Sequence, residues 1–315
     1  MDEVNWTSIS EFVFSDVSDQ QDLQLLIFAG LLATYLVNIV GNSMLFVLMW
    51  ANPQLRTPMY FLLSQLALVD MGTVSAILPQ ALVHMLTQHR AISFTSCMVQ
   101  LFIWLSMGNM GSYLLAAMAY DRYVAVCNPL RYATVVTWSL CLKMVAGSWV
   151  VVLLHALLDT VMAARLRYCG NRLQHFFCDL PPLLVLSCTR PITIITIEMV
   201  IFTEGVLVML TPFAFIVASY VRIGVAVARL RSAQGLRKAL VTCGSHLTVL
   251  ILFYSTATSP YIYPDSSDTK EKDRVAAVFY TAVAPALNPL IYSLRNKDVA
   301  AALRRTGRKI LAWGQ

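Results

Sequence analysis

Charged side chains are scarce in this sequence. Asp, Glu, Lys and Arg make up 13% of its 315 residues, whereas soluble domains contain about 25%. Four spans contain none of these residues and are long enough to cross about 30 Å of hydrocarbon as a helix. They are 23–55, 91–120, 239–264 and 275–294. A fold surrounded by water needs a polar face on each element, so this scarcity excludes an ordinary soluble domain.

Three further apolar spans contain only a few charged residues. They are 57–86, 140–164 and 192–228. In lipid each span must be helical, because only a helix satisfies its own backbone hydrogen bonds within one segment. The sequence therefore predicts an all-α membrane protein, a seven-transmembrane helix bundle.

The predicted bundle has an arm before it and a tail after it. Residues 1–22 form the N-terminal arm, 23–294 the seven-helix domain, and 295–315 the tail. In the tail, apolar residues recur roughly on one helical face with basic residues around them. This pattern predicts a short amphipathic helix on the inner membrane surface, attracted by anionic lipid; a frayed basic tail is the alternative.

Basic residues are absent from the first 22 positions, which contain several acids. With seven crossings, most of the 23 Lys and Arg residues collect on the side opposite the N-terminus. Because cytoplasmic loops are enriched in Lys and Arg, the N-terminus is predicted to be outside and the C-terminus in the cytoplasm. This asymmetry accounts for the net charge of +6, so no nucleic-acid partner is expected.

The seven cysteines divide according to this topology. Four of them fall on the predicted outer side, where an oxidising environment permits disulfides. They are Cys97, Cys169, Cys178 and Cys188. Their pairing stays open, because four cysteines allow three connectivities. On the same side, Asn5-Trp6-Thr7 is an N-glycosylation sequon and predicts a glycan on Asn5.

Two opposite charges, Asp121 and Arg122, end the third apolar span. On the predicted topology they lie at the cytoplasmic boundary of the third helix. An arginine there can pair with the neighbouring carboxylate or turn to another partner, and the two arrangements pack differently. The pair is therefore a candidate two-state element. An ordinary interfacial ion pair is the alternative.

Several short motifs accompany this pair along the chain. They are Gly41-Asn42, Asp70, Cys97, Asp121-Arg122-Tyr123, Trp149 and NPLIY at 288–292. Together they resemble the rhodopsin-like G-protein-coupled receptors. Longer strings resemble, more narrowly, the odorant receptors, and the resemblance covers nearly the whole chain. These strings are 58–70, 118–132, 175–188, 238–247 and 285–299.

The resemblance implies a receptor in the plasma membrane, with olfactory neuron cilia as the expected location, and neither catalysis nor a cofactor. The implied partners are a small volatile odorant, membrane lipid, and a stimulatory, olfactory-type heterotrimeric G protein that raises cAMP. The implied disulfides are Cys97–Cys178 and Cys169–Cys188. The implied G-protein-coupling switch comprises Asp121, Arg122, Tyr123, Tyr220, Lys238, His246, Asn288, Pro289 and Tyr292.

One position departs from the family pattern. Relatives usually have a glutamate eleven residues before the arginine of the switch, and this chain has Gly111 there. In many relatives that glutamate and Asp70 help to hold a sodium ion, and Asp70 without it is a poorer cage for a cation. A carboxylate at bilayer depth costs roughly 2.5–3.5 kcal/mol on insertion. We therefore expect Asp70 to serve as a hydrogen-bonding hub.

Three helices present candidate ligand-binding residues at helical spacing. They are Trp104, Leu105, Gly108, Asn109 and Ser112 on the third helix, Ile201, Glu204 and Val208 on the fifth, and Tyr254, Ala257, Thr258 and Tyr261 on the sixth. A small apolar ligand needs a dry, aromatic-lined cavity with one or two polar anchors. Asn109, Tyr254 and Tyr261 are the expected anchors. The alternative for each is a helix–helix hydrogen bond without ligand contact.

Glu204 is an ionisable residue within a membrane span, which by default indicates a functional site. If it is ionised, it favours a cationic or hydrogen-bond-donating ligand; if it is buried alone, it is neutral. It could instead pair inside the protein with His155. His155 and Asp159 stand four residues apart on the fourth helix, so they could also satisfy each other.

Two other classes of membrane protein are the alternatives to a receptor. A transporter or channel predicts ionisable residues along a continuous path or paired broken helices in two halves, and the sequence shows neither pattern. An intramembrane enzyme needs paired carboxylates or a set of metal ligands at bilayer depth. His155 and Asp159 form one pair without a third group, and the HEXXH motif is absent.

Overall fold

The computed structural model describes residues 9–15, 21–87, 89–189, 191–229, 243–244, 246–255, 277–295 and 299–305. Most of this part of the chain is helical, as the sequence predicts. Several predicted features lie outside the described residues. They are Asn5, Lys238, Ala257, Thr258, Tyr261, most of the sixth span and the end of the tail.

We number the helices that correspond to the predicted spans in chain order. They are α1 (Gln21–Ala51), α2 (Pro58–Thr87), α3 (Phe94–Cys127), α4 (Trp138–Ala164), α5 (Pro191–Arg229), α6 (His246–Ser255) and α7 (Ala284–Arg295). The first five are long and apolar enough to cross a bilayer. Helix α6 is the described part of the sixth span, and a π-helical turn at Phe279–Val283 leads into α7.

Local sequence signals explain where several helices begin. Ser93 caps α3, because its side chain accepts a hydrogen bond from the backbone N–H of Ser96. Thr137 caps α4 in the same way, accepting from Leu140. Pro58 is the first residue of α2, a position where its missing N–H removes no intrahelical bond.

Helix α3 lies at the centre of the bundle. It packs against α2, α4 and α5, while α1 packs against α2 and α7. The apolar windows of α2 and α3 are each 61% buried in the protein, against 11% for α1, 22% for α4 and 17% for α5. The outer faces of these peripheral helices expose large apolar side chains such as Leu25, Val40 and Phe202. An apolar surface of this extent is suited to contact with hydrocarbon and is unfavourable in water.

A three-stranded sheet covers one end of the bundle. Its strands are β1 (Glu11–Phe14), β2 (Ala91–Ser93) and β3 (Arg172–Leu173), in the order β2-β1-β3. Strand β1 runs antiparallel to β2 and parallel to β3. Strand β1 belongs to the predicted N-terminal arm, and none of these strands was predicted from the sequence. We name this end of the bundle the sheet end, and the opposite end, where Asp121 lies, the Asp121 end.

Helices α1 and α7 approach each other closely at Gly41. A Cβ atom on Gly41 would lie 2.8 Å from Cγ of Pro289, a proline inside α7. Real Cβ contacts are longer than this, so any side chain at position 41 forces one of the two helices to move. The glycine of the Gly41-Asn42 motif is therefore explained by helix packing.

Replacing Gly41 with alanine is expected to lower the melting temperature of the purified protein by roughly 5 °C, because the added methyl group meets Pro289. Gly30 on the same helix is the matched control, since a Cβ there meets no atom within 4 Å. Alanine also exceeds glycine in helix propensity by about 1 kcal/mol, so Gly30→Ala should melt at or above the parent temperature. If the two variants have the same melting temperature, the α1–α7 contact accommodates a methyl group at position 41 without loss of stability.

Candidate functional site

Two disulfides organise the sheet end. They join Cys97 to Cys178 and Cys169 to Cys188, with Cα–Cα distances of 5.5 and 5.6 Å. These are the two pairs that the resemblance implied. The first bond ties the connection between α4 and α5 to α3. This connection also contains a short helix, Leu180–Val185, which was not predicted from the sequence.

The connection between α4 and α5 closes over α3 through polar and aromatic contacts. Cys178 donates its backbone N–H to Oε1 of Gln100 at 2.8 Å. The indole Nε1–H of Trp104 donates to Oδ1 of Asp179 at 3.3 Å. The ring of Phe177 packs edge-on against Trp104, with centroids 5.5 Å apart. Trp104, a predicted ligand-binding residue, is thus oriented by this connection.

The structure divides the predicted ligand-binding residues between two places. Trp104, Leu105 and Ile201 pack into one apolar cluster that also contains Phe12 of β1. Tyr254 packs instead in the central cluster of the bundle, with its ring 4.8 Å from that of Phe213. The first group lies directly under the sheet, so the sheet and the disulfide-bonded connection cover it.

Four further predicted residues lie between these groups along α3 and α5. Asn109, Ser112 and Val208 are buried, and a Cβ on Gly108 would lie 3.9 Å from the ring of Trp104. Ser112 Oγ donates to the carbonyl oxygen of Asn109 at 2.7 Å, a bond within α3. Among the described residues, the Asn109 side chain forms no hydrogen bond to another helix. The alternative interpretation of Asn109, a hydrogen bond to another helix instead of contact with a ligand, is therefore not observed in the described part of the chain.

Glu204 has a partner on α4. Its Oε2 lies 3.3 Å from Nδ1 of His155, and Nε2 of the same imidazole lies 3.2 Å from Oδ2 of Asp159. The two pairings that the sequence left open therefore occur together. The prediction that His155 and Asp159 lack a third group is wrong, because α5 brings Glu204 to the other side of the ring.

At the opposite end of the bundle, Asp121 has two partners. The hydroxyl of Tyr132 donates to its Oδ1 at 2.7 Å, and Nε of Arg122 lies 3.8 Å from its Oδ2. Tyr132 stands in the connection between α3 and α4. Burial, and then the nearby Asp121 charge, raise the pKa of its hydroxyl. The hydroxyl therefore stays protonated and keeps donating to Asp121.

Other predicted switch residues gather at the same end. The hydroxyl of Tyr220 and Nδ1 of His246 are 2.7 Å apart and join α5 to α6. Tyr123 and Tyr220 pack against a small apolar cluster that includes Cys243. Tyr292 of α7 is buried in the central cluster. The residues therefore meet where α3, α5, α6 and α7 come together.

Asp70 is buried in α2 and bonds to α7. Nδ2 of Asn288 donates to its Oδ2 at 2.7 Å, so one hydrogen bond of the expected kind links α2 to α7. A Cβ on Gly111 would lie 3.3 Å from the ring of Phe253, so an aromatic side chain of α6 packs against α3 at this position.

The sequence matches the olfactory receptor family over residues 31–309. The chain belongs to that family. Among similar relatives, Olfactory receptor 2D2 of Homo sapiens is 46% identical over 310 residues, which cover 98% of this chain and 99% of that protein. Olfactory receptor 5AR1 of Mus musculus is 44% identical over 306 residues, with coverage of 97% and 98%.

A third relative, Olfactory receptor 1J1 of Homo sapiens, is 43% identical over 302 residues, which cover 96% of this chain and 93% of that protein. Family membership confirms the seven-transmembrane bundle. It also identifies this olfactory receptor as a receptor rather than an enzyme. The alternative of an intramembrane enzyme is thereby removed.

Sequence reasoning gave no role to two polar residues of this olfactory receptor, Asp179 and Tyr132. Asp179 directly follows the disulfide cysteine Cys178, so it had to lie near α3 once that bond was inferred. Tyr132 follows the 3₁₀ turn Pro129–Arg131, which returns the chain toward the end of α3. The position of Asp179 can be inferred only once the disulfide is known, and that of Tyr132 only once the turn is known.

Proposed function

We propose that this olfactory receptor binds a small volatile organic molecule at the sheet end and activates a stimulatory heterotrimeric G protein at the Asp121 end, raising cAMP. The arrangement of α3 is the observation that carries this proposal. Trp104, Leu105 and Asn109 lie along one part of this helix, and Asp121 and Arg122 lie near its end. A ligand that shifts α3 therefore acts on both places through one rigid element.

The proposed ligand site is apolar and covered. Trp104, Leu105 and Ile201 contribute aromatic and aliphatic surface, and the disulfide-bonded connection excludes water above them. Asn109 and Tyr254 supply polar atoms from α3 and α6, and Tyr261 is proposed as a third anchor. Such a site suits a small apolar molecule with one polar group.

Removing the polar atom of each anchor should change the odorant response. Asn109→Ala, Tyr254→Phe and Tyr261→Phe are each expected to shift the half-maximal odorant concentration about tenfold, because a lost hydrogen bond in a dry site costs about 1.4 kcal/mol. The measurement is cAMP production in transfected cells against a chemically diverse odorant panel.

Phe202→Ala is the matched control for this experiment. Phe202 lies on α5 and its side chain is 70% exposed on the outer face of the bundle, so its removal should leave the response profile unchanged. If all three anchor variants reach the cell surface and respond as the parent does, the ligand binds elsewhere in the receptor.

We place the sheet end outside the cell and the Asp121 end in the cytoplasm, in the plasma membrane of olfactory neuron cilia. Both disulfides lie at the sheet end. The free cysteines of the described residues are Cys127, Cys141 and Cys243, which belong to the Asp121 ends of their helices. Disulfides suit an oxidising compartment and free thiols suit the reducing cytosol.

A glycan on Asn5 tests this orientation, because glycans are added only on the luminal side that becomes extracellular. Endoglycosidase should increase the gel mobility of the parent receptor, and Asn5→Gln should abolish that shift. An N-terminal tag should stain on intact cells, while a C-terminal tag should stain only after permeabilisation. The reverse staining pattern would refute the topology.

The proposed switch is the Asp121–Arg122 pair with the residues around it. On activation Arg122 leaves Asp121 and helps to receive the G protein, while Tyr123, Tyr220, His246 and Tyr292 rearrange beside it. Lys238 belongs to the same proposed surface, and Asn288 and Pro289 allow α7 to adjust. Tyr132 keeps one hydrogen bond on Asp121 throughout, which lowers the cost of releasing Arg122 from a buried carboxylate.

A further inference from the structure

Three metal-binding side chains meet between α4 and α5. His155 and Asp159 lie one helical turn apart on α4, and Glu204 faces them from α5. One ligand atom from each residue can be chosen so that all three lie within 4.8 Å of one another. The cluster is a local concentration of ionisable groups within two apolar spans.

Among the described residues, no protein group completes the hydrogen bonding of this cluster. Asp159 is 1% exposed, yet its Oδ1 has no hydrogen-bond partner among the described residues. Glu204 Oε2 contacts His155 at 3.3 Å without hydrogen-bond geometry. Within the described part of the chain, neither carboxylate forms an ion pair with a Lys or an Arg. A buried carboxylate with an orphaned oxygen is costly unless a cation or a proton completes it.

The charges and ligand types of the three side chains match a divalent metal ion. Two carboxylates and a neutral imidazole carry a charge of −2 together, so one divalent ion gives a neutral complex in a low-dielectric environment. Imidazole nitrogen and carboxylate oxygen are ligands of Zn²⁺, which accepts three protein ligands and leaves a fourth position open. We infer that His155, Asp159 and Glu204 form a binding site for a zinc-class divalent metal ion between α4 and α5.

The required rearrangement is small. Ligand atoms around a tetrahedral zinc ion are about 3.4 Å apart, and the 3.2 Å distance from His155 Nε2 to Asp159 Oδ2 is already of that size. Glu204 now faces Nδ1 of the ring, so its carboxylate must rotate toward Nε2. Its side chain is 29% exposed, which leaves room for that rotation.

Zinc binding to the purified full-length receptor in lipid nanodiscs tests this inference. In isothermal titration with Zn²⁺, the parent should bind one more equivalent of metal than His155→Ala does. Asp159→Asn and Glu204→Gln should bind Zn²⁺ with an affinity at least tenfold lower than that of the parent. Titration with Co²⁺ provides a second readout, because its visible absorption bands report coordination by protein ligands. The same three variants should lose the bands that the parent shows.

Two variants separate this site from background binding. Glu198→Gln removes an exposed acid from the same helix α5, and His89→Ala removes an exposed imidazole outside the bundle. Both should bind Zn²⁺ as the parent does. The melting temperature of every variant without added metal shows whether it folds, and the conservative Glu204→Gln, at the most exposed of the three positions, carries the test if Asp159→Asn does not fold.

The inference is overturned if the parent binds no Zn²⁺, or if folded Glu204→Gln and His155→Ala bind it as tightly as the parent. In either case the three side chains contact one another without binding a metal ion. No odorant is needed for these measurements, so their outcome leaves the proposed ligand site and G-protein coupling untouched.

Discussion

Replacing Arg122 with alanine is expected to abolish odorant-dependent cAMP production and to leave the receptor on the cell surface. The guanidinium of Arg122 lies 3.8 Å from Asp121 and its side chain is 16% exposed, so it is loosely held and accessible at the Asp121 end. An arginine offers five N–H donors in a planar fork, and alanine offers none. We expect the maximal cAMP response to fall at least tenfold, measured in transfected cells.

The fold should tolerate this change because Asp121 keeps its other partner. Removing one member of a fully buried ion pair costs about 3–5 kcal/mol, but Arg122 is partly exposed and Tyr132 remains hydrogen-bonded to Asp121 at 2.7 Å. Arg165→Ala, which removes an exposed arginine at the far end of the bundle, is the control for loss of charge. Normal signalling by Arg122→Ala at an unchanged surface level would refute the role given to this residue.

The helical bundle could be predicted because hydrocarbon imposes a simple rule on the sequence. Charged residues are absent or rare in segments long enough to cross the bilayer, so the charged residues that flank each segment mark its ends. Helix α1 begins at Gln21 and α7 ends at Arg295, next to the predicted limits 23 and 294. The disulfide pairs came from family resemblance, since four cysteines alone leave three pairings open.

The sheet and the contacts between helices could not be predicted from the sequence. Strands β1, β2 and β3 contain four, three and two residues, too few for an alternating pattern to stand out. Their pairing depends on how three distant segments meet. Likewise, Glu204 reaches His155 and Tyr132 reaches Asp121 because of helix rotations that spacing does not determine.

Removing the Cys97–Cys178 disulfide is expected to clear most of the receptor from the cell surface. This bond closes a segment with a sequence separation of 81, whereas Cys169–Cys188 closes one of 19. The chain-entropy model gives about 4.5 kcal/mol for the longer loop and about 3 kcal/mol for the shorter one. Because the whole stability of a domain is about 5–15 kcal/mol, losing the larger contribution leaves little margin for folding.

The Cys97–Cys178 bond also holds the groups that cover the proposed ligand site. Both cysteines are fully buried beside Leu101 and Phe12, and Cys178 positions Asp179 against Trp104. Cys97→Ser/Cys178→Ser therefore places two hydroxyl groups in an apolar cluster and frees the connection between α4 and α5. Both changes destabilise the same end of the bundle.

Flow cytometry of tagged receptors on intact cells measures this effect. We expect at least a tenfold fall in surface level for Cys97→Ser/Cys178→Ser and a smaller fall for Cys169→Ser/Cys188→Ser, since the shorter loop contributes less. Cys127→Ser, at a free and partly exposed cysteine, should stay at the parent level. If the two double variants fall equally, loop length does not set the stability of this receptor.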